Sequence, residues 1–397
     1  MMRLARVAAA LGLMAAVWLT TTSTSTACPF CNAMQGKTFT GEVNDAAMVL
    51  YGRLTSANEK KETTEIEIED VLKDNAVRAN QKRMTLHRYV DLSLTTDKDR
   101  FLVFCDLYKG KIEPYRGMAL KAGSKLPEYV RGAVQKKDKP IGERLKFFFD
   151  YLDNSDTEVS TDAYKEFSVA DYKDFKAMAK ELPADRVVKW LKSSDTPAYR
   201  VGLYASMLGH CGKDEHAAVL KGLLDDPERR AGSGVDGVMA AYAMLRPKEG
   251  WTYIQTVLKS PKEEFMFRYA ALRAVRFFYD YRTDVFDRKQ IVEGVTQLLQ
   301  QDDIADLAIE DLRKWKAWDA ADKVLAVSKT AAFKQPIVKR ALLRYCLQCQ
   351  GVTEATAYVA DRRKADPKVV EEAEELLKLE QEPATPATPD GTKGAAK

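Results

Sequence analysis

The sequence predicts a two-part α+β protein, a small antiparallel β-barrel followed by an all-α superhelix of stacked helical hairpins. The hydrophobic period is two between residues 47 and 120 and becomes three and four from about Pro140 onward. Beyond that point apolar stripes come in pairs, and the first members of successive pairs start roughly 31 to 37 residues apart. A chain of 397 residues is also longer than one core normally holds.

The chain opens with Arg3 and Arg6, then an apolar run from Val7 to Leu19, then a small polar stretch from Thr20 to Ala27. Ser25 and Ala27 stand at the minus-three and minus-one positions of an A-x-A-like cleavage site, so residues 1–27 are expected to be a signal peptide. Cleavage there makes Cys28 the new amino terminus, in a compartment where disulfides persist. The expected location is therefore periplasmic, cell-envelope or extracellular. A lipidated Cys28 is disfavoured, because lipoprotein signals usually carry Leu where Ser25 stands. The apolar run is short and wrongly flanked for a stable span, so no transmembrane segment is expected in the mature chain.

Residues 28–125 are expected to hold the strands. Glu65-Ile66-Glu67-Ile68-Glu69 alternates strictly, as a half-buried antiparallel strand does. Met48–Leu54, Met84–Val90 and Phe101–Cys105 are similar runs separated by polar turns, and a fifth strand is expected within Lys111–Leu120. Five short strands suit a barrel, which removes exposed edges.

Residues 140–380 are expected to be helical repeats. Arg144–Leu152 opens the helical period. Tyr199–Leu208 then pairs with Glu215–Leu224, Val235–Leu245 with Trp251–Leu258, and Phe267–Tyr279 with Gln290–Leu299. Ile304–Trp318 pairs with Ala320–Val327, and Gln335–Cys346 with Thr353–Arg362. No such hairpin buries its apolar face alone, so neighbours must stack. An irregular all-helical bundle is the alternative. Residues 381–397, rich in Pro, Ala and Thr, cannot bury apolar area and are read as a disordered tail.

Charge excludes some partners. Lys and Arg number 62 against 58 Asp and Glu, and loss of Arg3 and Arg6 leaves a net +2. That balance offers no electrostatic footprint for nucleic acid or an anionic bilayer.

The front half resembles the netrin-like module of tissue inhibitors of metalloproteinases, an OB-type barrel. The residues that carry the likeness are the terminal cysteine pair and the strand Ala47–Leu54. A Glu-rich strand ending in Val71-Leu72-Lys73-Asp74 and the strand Phe101–Cys105 complete it. The remainder resembles HEAT-like repeats, as in exported bacterial proteins that join a Cys-Pro-x-Cys start to helical repeats. The inhibitor family begins Cys-x-Cys, where this chain has Cys-x-x-Cys, and chelates a protease zinc with its free terminal amine and first carbonyl. The likeness thus implies, as a minor alternative, an inhibitor acting through the mature terminus at Cys28. It also implies a disulfide from Cys28 or Cys31 to Cys105, which would clamp the amino-terminal arm to the barrel and contribute roughly 2–4 kcal/mol.

Few residues offer chemistry. Cys28-Pro29-Phe30-Cys31 is either a thiol–disulfide exchange site or a structural pair. It precedes every strand instead of opening a helix after one, which favours the structural use. Cys346-Leu347-Gln348-Cys349 has no following histidine, so haem attachment is excluded. Both of its cysteines continue the stripe of Val338, Leu342 and Tyr345, so burial is favoured over a disulfide, and a lone pair is weak evidence for zinc. His210, Cys211 and His216, with Asp214 and Glu215, could line a metal site, yet Cys211 continues the stripe of Tyr204 and Leu208. With three histidines and no Gly-x-Ser-x-Gly elbow, a nucleophilic triad has few members to draw on. Gly232, Gly234 and Gly237 read as a loop between helices, and the aromatics of Phe277–Tyr281, Trp315 and Trp318 as core and groove lining.

No catalytic, cofactor or metal residue is assigned. The reading is an exported, non-enzymatic binding or scaffold protein that presents a barrel face and a repeat groove to protein partners. The alternative is a thiol oxidoreductase or redox-responsive protein using Cys28 and Cys31.

Overall fold

The computed structural model describes residues 29–31, 36–121 and 123–381. The expected signal peptide, Cys28 and residues 382–397 of the tail lie outside the described residues.

A short helix, α1 (Phe39–Asp45), precedes five strands: β1 (Met48–Asn58), β2 (Thr63–Lys73), β3 (Arg83–Leu86), β4 (Arg100–Tyr108) and β5 (Lys111–Leu120). They form one antiparallel sheet in the order β3-β2-β1-β4-β5. Lys109 and Gly110, both at positive φ, make the tight turn that joins β4 to β5 and match its twist to the strands. The alternation in β2 works as expected. Ile66 points to one face, while Glu67 points to the other and holds Arg53 of β1 and Arg83 of β3 at 2.7 and 2.9 Å.

The expected barrel is not closed. β3 and β5 approach within 8 Å between Cα atoms but share no ladder. β3 has only four residues and ends at Leu86, short of the expected Val90. The Val90 N–H turns instead to the Thr64 hydroxyl at 2.9 Å. Across the gap, β5 presents Pro114, Tyr115, Arg116, Gly117 and Ala119.

The sheet has two apolar faces. Met48, Leu50, Ile66, Leu86, Val103, Cys105 and Ile112 cluster on the inner one. Val49, Leu102, Phe104 and Leu120 on the other join the core of the helices. That face is covered by α1 and by α2 (Leu126–Gln135), whose Leu126, Tyr129, Val130 and Ala133 form one buried stripe. Helix α2 lies in the stretch that the periodicity leaves between the two halves, and Arg131 pairs it to Asp70 of β2.

Helices α3 (Ile141–Phe149), α4 (Thr157–Ser168), α5 (Tyr172–Ala179) and α6 (Ala184–Lys192) follow. Asp156 and Asp171 cap α4 and α5 through the N–H groups of Glu158 and Lys173. Next come α7 (Ala198–Cys211) with α8 (Ala217–Asp225), a single turn α9 (Pro227–Arg230), and α10 (Val235–Leu245) with α11 (Pro247–Lys259). The stack continues with α12 (Phe265–Tyr281) and α13 (Arg288–Thr296), then α14 (Ala305–Lys314) and α15 (Ala321–Ala326). Last are α16 (Pro336–Gln348) with α17 (Thr353–Ala365), and α18 (Pro367–Gln381). Helices lie where the paired stripes put them, and the region is helical and repeat-like.

Its side chains keep the period. Tyr164 donates to Tyr199 O, Arg268 to Asp303 and Arg276 to Asp311, all across 35 residues. Tyr279 donates to Trp315 O across 36, and Arg313 to Gln348 across 35. Each bond therefore ties a helix to its counterpart one repeat later.

One buried carboxylate joins the sheet to this stack. Asp162 of α4 accepts the Phe39 N–H that opens α1 at 2.8 Å and the Tyr129 hydroxyl of α2 at 2.8 Å.

Candidate functional site: a groove that holds the Pro29–Cys31 turn

Pro29-Phe30-Cys31 does not lie against the sheet. Phe30 is 4% exposed and sits in the helical core, its ring 4.6 Å from that of Phe277 on α12. The backbone fits because the helices beneath it are bare. A Cβ on Gly202 of α7 would stand 2.7 Å from Phe30 O and 3.1 Å from the Cα of Gly234. Gly234, at φ 86, caps α10 in the left-handed region that side chains disfavour, and Gly237 brings the first turn of α10 against Gly202 O. The three glycines let α7 and α10 meet backbone to backbone and leave a floor for the segment.

A polar clasp completes the seat. Arg273 of α12 donates to Pro29 O at 3.4 Å and pairs with Asp236 of α10 at 2.7 Å. Asp236 is buried, which pushes its carboxyl up, and the Arg273 charge pulls it back down. Beside the segment an open cavity of about 340 Å³ runs between the Arg230–Asp236 loop and the face of α12. Arg230 lies 4.0 Å from the centre of the Phe267 ring and pairs with Glu263, while Met266 stands 68% exposed at the rim. The groove thus offers an aromatic slot, a cation facing a main-chain carbonyl, and an adaptable apolar edge.

The residues singled out from the sequence take other places. Cys105 is an unbonded thiol, fully buried on the inner face of the sheet, so the expected disulfide from Cys28 or Cys31 to Cys105 is not formed. The reason is the seat of Phe30, which draws Cys31 into contact with the helical core. Burial pushes the Cys105 and Cys346 thiols up to about 12 and Cys211 to about 11, and it raises Cys349 as well. Cys346 and Cys349 are buried and not bonded to each other. None of these four thiols supplies a thiolate near neutral pH.

The histidines do not converge. The Nε2 of His210 meets the Tyr172 hydroxyl at 3.0 Å among Phe175 and other rings. Burial, then Arg282, Lys176 and Lys180, push its pKa down to about 3, so it stays neutral. His216 accepts the Lys213 N–H at 2.8 Å as a turn cap, and His87 is exposed on the loop after β3. Among the described residues no group of three or more His, Cys, Asp or Glu is placed to hold a metal ion. No helix there is long and apolar enough to cross a membrane.

Sequence reasoning passed over Arg273, Asp236 and the buried Asp162. The spacing Gly202, Gly234 and Gly237 carried the signal for the groove, since two helix starts 30-odd residues apart both lack side chains where they cross. No protein-family profile, no curated protein and no solved structure matches the chain.

Proposed function

We propose that this chain is an exported, non-enzymatic binding protein whose repeat region grips short protein segments across α7, α10 and α12. The observation that carries the reading is the groove's present occupant. Part of the chain itself, Pro29 and Phe30, is held by an aromatic side chain in a slot and by Arg273 on a main-chain carbonyl. Those are the contacts a passing peptide can reproduce, because one is generic to backbone and the other asks only for a ring. Export rests on the leader sequence before Cys28.

The test is selection of displayed peptides on the full mature chain, followed by titration. Selected peptides should share an aromatic residue and lose at least tenfold in affinity with Arg273→Glu, while Met266→Lys weakens them less. Failure to enrich any sequence, or affinity indifferent to Arg273→Glu, would overturn the proposal. So would insulin reduction by the native protein that disappears in Cys31→Ser.

A further inference from the structure

The gap between β3 and β5 is a second cavity, on the inner face of the sheet, and shares no lining residue with the repeat groove. It measures about 490 Å³, within the range of small-molecule sites. Leu54, Leu86, Val90, Phe101 and Val103 make its walls, and β5 contributes Pro114, Tyr115, Arg116, Gly117 and Ala119. Gly117, opposite Val103 in the ladder, has nothing within 4 Å of where a Cβ would stand. The small residues Pro114, Gly117 and Ala119 of β5 thus leave a trough that the protein does not fill.

Its charge is one-sided. No carboxylate lines the trough, and Arg88 sits at its edge on the loop after β3. Among the described residues of the sheet region, Arg53, Arg78, Arg83, Arg100 and Arg116 all pair with a carboxylate. Arg116, which also borders the trough, is taken by Glu42 and lies over the rings of Phe39 and Phe104. Arg88 has no such ion pair. An apolar trough with one uncommitted guanidinium at its mouth matches a ligand with an apolar body and a single anionic head.

We propose that the open side of the sheet binds a free long-chain carboxylate, its alkyl chain along Val103 and Gly117 and its head at Arg88. The alkyl chain would cover the inner positions that a closed barrel would cover with side chains.

Dodecanoate is the probe, titrated calorimetrically into the full mature chain, with dodecanol as the uncharged comparison. The expected result is saturable binding of one dodecanoate, weakened about tenfold or more by Arg88→Glu, while dodecanol is unaffected by that change. Gly117→Leu places a side chain in open space and should abolish both. Its unchanged thermal midpoint would show that the sheet is intact. Dodecanoate binding that survives Gly117→Leu, or that ignores Arg88→Glu, overturns the proposal, as does no binding below millimolar concentration. Peptide binding in the repeat groove is untouched by either variant, so the two readings fail separately.

Discussion

Replacing Asp162 by Asn should remove a pH dependence from the stability of this protein. The carboxylate is 3% exposed and holds the N–H of Phe39 and the hydroxyl of Tyr129, so α1, α2 and α4 all meet at it. Burial dominates and pushes its pKa up to about 7; the two donors and Lys165 oppose the rise, and the neighbouring Glu166 adds to it. Between about pH 4 and about pH 7 the folded chain therefore keeps a proton that the unfolded chain has released. Unfolding releases that proton, so stability contributed by this site is full below about pH 4 and falls as pH rises to about 7. The window spans about three pH units at about 1.4 kcal/mol each, which sets a ceiling of about 4 kcal/mol. Asn has the same shape, accepts the Phe39 N–H through its oxygen, and does not titrate. Urea unfolding followed by circular dichroism at a series of pH values should show the wild type losing ground to Asp162→Asn from about pH 4 to about pH 7, with a constant gap above. A gap that stays flat across the whole range would refute the reasoning.

Two further outcomes are expected. Gly202→Ala should lower stability by about 1–3 kcal/mol, because its Cβ would stand 2.7 Å from Phe30 O, whereas Gly222→Ala in α8, with nothing within 4 Å, should raise it by about 0.5–1 kcal/mol; paired thermal melts check the opposite signs. Ellman's reagent near pH 8 should leave Cys105 and Cys346 unmodified in the native protein and label both in urea, since both are buried and their thiols lie near 12; mass spectrometry locates the label.

Much of the architecture was written in the period of the apolar residues. Ile66 and Ile68 alternate with glutamates because one face of β2 is solvated, and the five hairpins announce themselves because each helix needs one stripe for its neighbour. Helix α1 escaped notice because seven residues, Phe39–Asp45, are too few to show a period. Helix α2 lay between a sheet and a repeat, so its stripe belonged to neither pattern. Barrel closure depended on main-chain pairing between β3 and β5, and β3 stops after four residues, to which a strand count is blind. The seat of Phe30 is a tertiary choice. Nothing local distinguishes an arm laid on a sheet from one laid on helices, and only the facing glycines of α7 and α10 decide it.

The far end of the stack is fastened differently from its middle. Glu380 of α18 pairs with Arg344 one repeat back and reaches Arg313, 67 residues earlier, at 2.9 Å. Every other link named along the stack spans a single repeat, so melting there could spread inward from an end, one hairpin at a time. A carboxylate gripping two successive repeats ties α18 to both α14 and α16, so α18 cannot detach from one without losing its link to the other. Arg344→Ala, which removes one of the two grips, should therefore loosen α18 before any other helix of the stack.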